Sequence, residues 1–322
     1  MKKKSKPKLL ILYAEVMGYT LSTLELLESS GVDLYVVHWD NKKISSYKIK
    51  TNKKIKFLNY SSFSTRGLIK FIKELNPDLT VISGWNNFKY LISAFFLRSK
   101  GKKVVCGMDN QWKGTFKQRL ASFLSNRKIL KLLFSHVWIV GVEQYEYVRK
   151  LGFESSDIIW DAHCADLKNF NSHNIQRNFI GKKKLVFVGR LEKEKGIDKL
   201  LESWDAIHEK NNWELEIIGE GSLKYLVDKY KQNVHHTSFL QPEDLVKKLK
   251  ESHALILPSI FEPWGVILQE AAACGLPIIA SDEVGSATKF LINNFNGYRF
   301  VSSKKDKKNL KIVLEKLISL PV

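Results

Sequence analysis

Residues 254–277 read ALILPSIFEPWGVILQEAAACGLP. The apolar run Ala254–Leu257 predicts a short buried strand, and a turn with two prolines follows it. A helix is predicted over Val266–Ala273, and a second strand over Pro277–Ala280. A strand that leads through a turn into a helix and then into another strand is the repeating unit of a parallel sheet covered by helices.

The same alternation continues along the whole chain. The other predicted strands are Lys8–Tyr13, Asp33–His38, Ile55–Asn59, Leu79–Ser83, Lys103–Gly107, His136–Val140, Lys184–Val188, Glu214–Ile218 and Val234–Thr237. The polar stretch 169–178 interrupts the pattern, as a linker does. We therefore expect an α/β protein with two doubly wound, Rossmann-like domains, residues 1–168 and 183–322, joined by a hinge at 169–182.

Charge is unevenly distributed between these halves. The chain of 322 residues has a net charge of +19. Residues 1–168 hold 29 basic and 14 acidic side chains, whereas residues 169–322 hold 23 and 19. The excess in the first half indicates an anionic partner there, such as a lipid surface, a nucleic acid or a polyanion.

The cysteine pattern and the hydropathy indicate a cytoplasmic protein. Three widely spaced cysteines form neither a CxxC pair nor a zinc pattern, which is typical of reduced thiols. No run of 18 apolar residues predicts a membrane-spanning helix. The start, Met1–Tyr13, is interpreted as a basic tail that enters a first strand rather than as a secretion signal.

Two cations follow the strand predicted at Lys184–Val188. Arg190 and Lys195 lie in the loop GRLEKEKG between that strand and the next helix. Open α/β sheets bind ligands at the carboxyl ends of their strands, where two cations would attract an anion. A surface loop with ordinary charges is the alternative.

Two carboxylates flank the start of the helix predicted near Gly265. Glu262 lies in the preceding turn, and Glu270 lies on the helix, with seven residues between the two. The free N–H groups of a helix start can hold a phosphate, while carboxylates accept hydrogen bonds from sugar hydroxyls. A helix-capping glutamate and an unrelated surface glutamate would give the same pattern.

The order and spacing of several motifs resemble glycosyltransferase family 4. The motifs are Gly189-Arg190 with Lys195-Gly196, Ile218-Gly219-Glu220-Gly221, Pro258-Ser259, and Glu262-x7-Glu270 up to Gly275 and Pro277. The resemblance is strong over residues 183–300 and weaker before them. It implies the GT-B fold, with two Rossmann-like domains that face each other across a cleft. It also implies sugar transfer from a nucleotide diphosphate-sugar with retention of configuration and without a metal or other cofactor.

The resemblance also implies roles for individual residues. Arg190 and Lys195 match the cations that grip the donor diphosphate. Glu262 matches the acidic residue on the donor sugar, and Glu270 matches the carboxylate on the ribose. The other donor-binding positions that it implies are Gly189, Gly219, Gly221, Phe239, Leu240, Gly265 and Val266.

The first half matches the family only loosely. The acceptor-side residues would be Glu15, Gly18 and Tyr19, where the single Gly18 replaces a pair of glycines. Many members carry His-Asp after the strand that corresponds to Lys103–Gly107, but here only Asp109 is present. Asp109 could accept a proton from the acceptor or orient its hydroxyl, or it could simply cap a helix.

A membrane contact is predicted from residues 113–134. Its cations are Lys113, Lys117, Arg127, Lys128 and Lys131. On one continuous helix they would share an arc of roughly 100° with Leu120 and Leu124, since each residue turns the helix by about 100°. Cations mixed with leucines fit an anionic membrane interface. A solvated face beside core residues is the alternative.

Together, these features predict a peripheral enzyme at the inner face of a membrane. It would move a sugar from a nucleotide-sugar donor to a saccharide or lipid-linked saccharide during synthesis of a cell-surface polysaccharide. Two alternatives remain. One is a GT-B enzyme of other chemistry, such as a nucleotide-sugar epimerase or a phosphorylase. The other is a basic nucleic-acid-binding protein, which is disfavoured because aromatic residues are not interleaved with the basic clusters.

Overall fold

The computed structural model divides the chain into two compact units. Unit 1 comprises Met1–Cys164 and unit 2 comprises Ala165–Val322. The structure describes residues 6–40, 47, 54–125, 129–173, 175, 177, 181–230, 232–302 and 308–319. Each unit is described by itself.

Unit 1 is a parallel sheet with helices between its strands. Its strands are β1 Lys8–Tyr13, β2 Asp33–His38, β3 Lys56–Asn59, β4 Leu79–Ser83, β5 Lys103–Met108, β6 His136–Ile139 and β7 Ile158–Ile159. Its helices are α1 Gly18–Ser29, α2 Thr65–Leu75, α3 Phe88–Ser99, α4 Phe116–Ser125, α5 Ile129–Leu133 and α6 Tyr145–Lys150. The strand order is β3-β2-β1-β4-β5-β6-β7. The central strands are apolar on both faces and buried, as expected when helices cover both sides of a sheet.

Unit 2 repeats this architecture. Its strands are β8 Lys183–Val188, β9 Trp213–Ile218, β10 Val234–Thr237, β11 Ala254–Leu257, β12 Ile278–Ser281 and β13 Gly297–Phe300. Its helices are α7 Ile197–Asp205, α8 Lys224–Val227, α9 Pro242–Glu251, α10 Val266–Ala273, α11 Ala287–Phe290 and α12 Lys308–Ser319. The strand order is β10-β9-β8-β11-β12-β13, and neighbouring strands run parallel.

The order of the strands in unit 2 fixes where a ligand can enter. The chain moves outward from β8 through β9 to β10, and then returns to place β11 on the other side of β8. Crossovers on the two sides of β8 cover opposite faces of the sheet, so a crevice opens beyond the carboxyl ends of β8 and β11. The loops that follow these two strands are the β8 loop, residues 189–196, and the β11 loop, residues 258–265.

The predicted fold class is confirmed, since both units are doubly wound parallel α/β structures. Two edge strands, β7 and β13, were not predicted. The arc calculated for residues 113–134 assumes one continuous helix, but Lys113 lies in the loop before α4, α4 ends at Ser125, and residues 126–128 lie outside the described residues. In the described part of the chain, no helix has the length and apolarity needed to span a membrane.

Candidate functional site

The β8 and β11 loops lie in close contact, and a glycine allows it. Gly196 has a φ of +68°, and a Cβ atom built on it would lie 2.2 Å from the carbonyl oxygen of Pro258. Any side chain at residue 196 would therefore push the two loops apart. The main-chain oxygen of Glu194 also accepts hydrogen bonds from the N–H groups of Ile260 (2.8 Å) and Phe261 (3.2 Å). The two loops thus form one rigid edge.

This contact brings together two of the predicted catalytic side chains. The Nζ atom of Lys195 donates a hydrogen bond to Oε2 of Glu262, and the two residues form an ion pair. Only 15% of the Lys195 side chain and 12% of the Glu262 side chain are exposed. A largely shielded, charge-assisted pair of this kind is held in one geometry more firmly than a pair on the open surface.

The backbone of Glu262 is fixed from a third side. Its N–H group donates to the carbonyl of Glu283 (3.3 Å), and its own carbonyl accepts from the N–H group of Gly285 (3.0 Å). Both partners follow β12, the strand next to β11. The Glu262 carboxylate is therefore held at the carboxyl edge of the sheet by loops from three adjacent strands.

Arg190 lies in the same loop but is more exposed. Its Nη2 atom donates to Oε1 of Glu194 at 2.8 Å, and 56% of its side chain is exposed. The predicted cations are thus both present at the carboxyl edge, and each is paired with a carboxylate of the protein. Glu194 was not among the predicted site residues.

Helix α10 begins beside these side chains. Gly265 is its N-cap residue and Val266 its first residue. The first N–H groups of a helix have no partner within the helix and carry its partial positive charge. The start of α10 therefore adds anion-binding capacity to an edge that already holds Arg190 and Lys195.

Glu270 lies on α10, about one turn after Val266, and is half-buried. Burial, with a smaller contribution from the negative charge of Asp166, raises the pKa of its carboxyl group to about 8. A carboxyl group in this condition is largely protonated at neutral pH, so it can donate as well as accept a hydrogen bond.

This raised pKa predicts a pH-dependent effect of Glu270→Gln on stability. The wild-type carboxyl group keeps its proton up to about pH 8 in the folded chain but loses it near its ordinary value of 4.5 when unfolded. Wild-type stability therefore falls as the pH rises between these values, and glutamine removes that loss. We expect the melting temperature of Glu270→Gln, relative to wild type, to be higher at pH 8 than at pH 5. The exposed Glu209→Gln is the control, and an equal shift in both variants would contradict the expectation.

The remaining positions that were predicted to bind the donor lie at the same edge. Gly219 follows β9, and a Cβ atom on it would lie 2.0 Å from the carbonyl oxygen of Gly189. Gly221 follows in the same turn, and Phe239 and Leu240 follow β10. The Phe239 side chain is partly exposed, whereas Leu240 packs against the core. Gly189, Gly219, Gly221, Phe239 and Leu240 thus all lie at the carboxyl ends of β8, β9 and β10.

A second cluster occupies the carboxyl edge of unit 1. Asp109 directly follows β5, and Tyr19 lies on α1, which follows β1. The Tyr19 ring packs edge-on against the ring of His163, with centroids 5.0 Å apart. Burial lowers the pKa of His163, and the nearby Asp109 charge opposes this effect. Asp109, Tyr19 and His163 are therefore close neighbours, although they are distant in sequence.

The other predicted acceptor-side residues lie next to this cluster in the chain. Glu15 lies in the loop after β1, and Gly18 is the first residue of α1. Burial raises the pKa of Tyr13, at the end of β1, and the Asp109 charge contributes to the shift. Among the described residues of both units, no three His, Cys, Asp or Glu side chains are grouped to hold a metal ion.

The predicted membrane residues are only partly brought together. Lys113 and Lys117 are both exposed, but Lys113 precedes α4. Lys131 forms an ion pair with Asp157 at 2.8 Å. Arg127 and Lys128 lie outside the described residues. The apolar side chains of α4 are unusually exposed, with 81% of Phe116 and 67% of Phe123 accessible to solvent.

Comparison with known proteins shows what unit 2 is similar to. Residues 169–321 match the family described as "Glycosyl transferases group 1". An uncharacterized glycosyltransferase of Methanocaldococcus jannaschii is 35% identical over 121 residues, which are 36% of this chain and 31% of that protein. The chain thus aligns with about a third of the length of this relative.

Two further proteins extend the comparison to most of the chain. The amylovoran biosynthesis glycosyltransferase AmsD of Erwinia amylovora is 32% identical over 223 residues, 66% of this chain and 61% of AmsD. The structure of HepE from Anabaena in complex with UDP-glucose superposes with a TM-score of 0.70 at 14% identity, covering 97% of this chain and 90% of HepE. This chain therefore has the GT-B fold, and its second unit matches the glycosyl transferases group 1 family.

Proposed function

We propose that this protein is a retaining glycosyltransferase of the family 4 type. It transfers a sugar from a nucleotide diphosphate-sugar to a hydroxyl group of a saccharide or lipid-linked saccharide. The observation that carries this proposal is the Lys195–Glu262 pair at the carboxyl edge of β8 and β11. It combines a cation for the diphosphate with a carboxylate for sugar hydroxyls at the place where this fold binds ligands.

The reaction breaks the bond between the anomeric carbon and the diphosphate, and a bond from that carbon to the acceptor oxygen replaces it. Negative charge grows on the departing diphosphate. Arg190, Lys195 and the start of α10 stabilise it, which is the work that a metal ion performs elsewhere. The acceptor proton goes to the departing phosphate oxygen. We therefore expect transfer to continue in the presence of EDTA.

The acceptor is assigned by charge and by similarity to AmsD, whose name connects it with amylovoran biosynthesis. Asp109, Tyr19 and His163 form the acceptor-side cluster in unit 1. A carboxylate and an imidazole bind sugar hydroxyls, and an aromatic ring packs against the apolar face of a sugar. A saccharide used in surface polysaccharide synthesis is the acceptor class that fits.

A thermal-stability screen against nucleotide sugars tests this function. A donor present at 100 times its dissociation constant should stabilise the fold by about 2.7 kcal/mol. We expect one nucleotide sugar, and the corresponding nucleoside diphosphate, to raise the melting temperature, while the free sugar does not. Failure of every nucleoside diphosphate and nucleotide sugar to stabilise the protein would contradict the proposal.

We also propose that α4 contacts an anionic membrane surface. Four large apolar side chains of this helix, Phe116, Leu120, Phe123 and Leu124, are each between 46% and 81% exposed. Exposed phenylalanines and leucines on a short helix are costly in water and are typical of an interfacial segment. Lys113 and Lys117 are exposed at the start of this segment, where they can pair with anionic headgroups.

Reversing two charges on this segment should release the protein from vesicles. Each basic residue near an anionic leaflet contributes about 1 kcal/mol, so Lys113→Glu with Lys117→Glu should weaken binding to phosphatidylglycerol vesicles by roughly tenfold or more. Lys70→Glu with Lys73→Glu, on the exposed face of α2, makes the same change in charge elsewhere in unit 1. Vesicle sedimentation that is unchanged in the α4 variant, or equally reduced in both, would exclude α4 as the contact.

A further inference from the structure

The two cations of the proposed diphosphate site are neutralised by carboxylates of the protein itself. Lys195 is paired with Glu262, and Arg190 is paired with Glu194. The proposed function gives Glu262 a role on the donor sugar, but it gives none to Glu194. A carboxylate within 2.8 Å of a phosphate-binding arginine competes with the phosphate for that arginine.

The main chain at Glu194 cannot easily move away. Residues 193–195 form a single 3₁₀ turn, and the Glu194 carbonyl accepts two hydrogen bonds from the β11 loop. The left-handed Gly196 follows directly and lies against Pro258. The side chain, by contrast, is 38% exposed, so its carboxylate can rotate into water. An exchange at Arg190 therefore involves a change of rotamer rather than a movement of the loop.

We propose that Glu194 is a competing anion that sets donor affinity: the donor diphosphate displaces the Glu194 carboxylate from Arg190. This inference rests on the proposed function. The exchange is energetically accessible, because an exposed ion pair is weak, whereas arginine binds a phosphate through two parallel hydrogen bonds.

The competing-anion role makes a charge-specific prediction. Removing the negative charge of Glu194 should tighten the binding of ligands that carry a diphosphate and leave a nucleoside unaffected. The gain should shrink as salt is added, because mobile ions screen charges that face solvent. If Glu194 instead served to position Arg190, its removal would weaken diphosphate binding.

Calorimetric titration of the full chain with UDP, inorganic pyrophosphate and uridine tests this inference. We expect Glu194→Gln to bind UDP and pyrophosphate about three- to tenfold more tightly than wild type in 50 mM NaCl, with a smaller gain in 300 mM NaCl and no change for uridine. The matched control is Asp228→Asn. It breaks the exposed i,i+4 pair between Lys224 and Asp228 (2.9 Å) and removes the same charge from unit 2.

A double-mutant cycle isolates the exchange at Arg190. In an Arg190→Gln background the gain from Glu194→Gln should largely disappear, because the competition for Arg190 is lost. Unchanged or weaker pyrophosphate binding by Glu194→Gln, or an equal gain in Asp228→Asn, would overturn the inference while leaving the proposed function in place. Wild-type protein that binds neither UDP, pyrophosphate nor any other nucleoside diphosphate would overturn both.

Discussion

Lys195→Ala is expected to lower kcat/KM for the donor by about 10- to 150-fold. This range corresponds to the loss of one hydrogen bond to a charged group, about 1.5–3 kcal/mol. Lys195 is nearly shielded from solvent, and its charge lies where negative charge develops in the proposed reaction. Steady-state kinetics at saturating acceptor would measure the effect.

Lys193→Ala is the matched control for this prediction. Lys193 belongs to the same 3₁₀ turn but is exposed. We expect it to keep wild-type kcat/KM to within about threefold. Lys195→Ala leaves Glu262 without the cation it contacts, which can also destabilise the fold. Melting curves of both variants therefore separate a loss of turnover from a loss of stability. Equal losses in the two variants, or wild-type kinetics in Lys195→Ala, would show that the diphosphate does not bind at Lys195.

Glu262→Gln should reduce kcat, whereas Glu270→Gln should mainly raise KM for the donor. Glu262 contacts Lys195 at the edge where, in the proposed reaction, the sugar and the diphosphate separate. Glu270 lies further along α10, at the position proposed for the ribose. An interaction close to the reacting bond strengthens in the transition state, while a contact on a remote part of the donor binds ground state and transition state alike. We expect a loss in kcat of about 10- to 100-fold for Glu262→Gln, on the scale of a charged hydrogen bond.

Glu262→Asp adds a graded comparison, because it keeps the charge but shortens the side chain. Glu262→Asp should retain more activity than Glu262→Gln if the negative charge at residue 262 matters more than the length of its side chain. Losses confined to KM in both Glu262→Gln and Glu270→Gln would show that neither carboxylate faces the reacting bond.

The fold could be predicted well where apolar runs are continuous. The predicted strands Asp33–His38, Leu79–Ser83 and Ala254–Leu257 have the bounds that the structure shows. Strands β7 and β13 lie at the edges of their sheets and are two and four residues long. Strand β7 is too short to leave a periodic signal, and β13 reads GYRF, which contains no continuous apolar run. For both strands the pairing partner decides whether a strand forms.

The location of the candidate site could also be predicted, but its internal pairing could not. Cations and glycines that follow predicted strands must meet at the carboxyl edge of a parallel sheet, which places Arg190 and Lys195 there. The contact between Lys195 and Glu262 joins residues 67 positions apart. This contact depends on β11 being the neighbour of β8 in the sheet, and the spacing of residues in the sequence does not determine the order of the strands. The Arg190–Glu194 pair is local, but the hydrogen bonds that hold the Glu194 carbonyl come from the β11 loop and depend on the same strand order.

Analysis of the reaction products by proton NMR tests the proposed function most directly. The protein would be incubated with the stabilising nucleotide sugar and a saccharide acceptor, and the released nucleoside diphosphate and the anomeric proton of the product would be followed together. We predict one nucleoside diphosphate for each glycoside formed, with the anomeric configuration of the donor retained in the product. A product of inverted configuration, or an absence of glycoside formation with every stabilising nucleotide sugar, would contradict the assignment of a retaining glycosyltransferase.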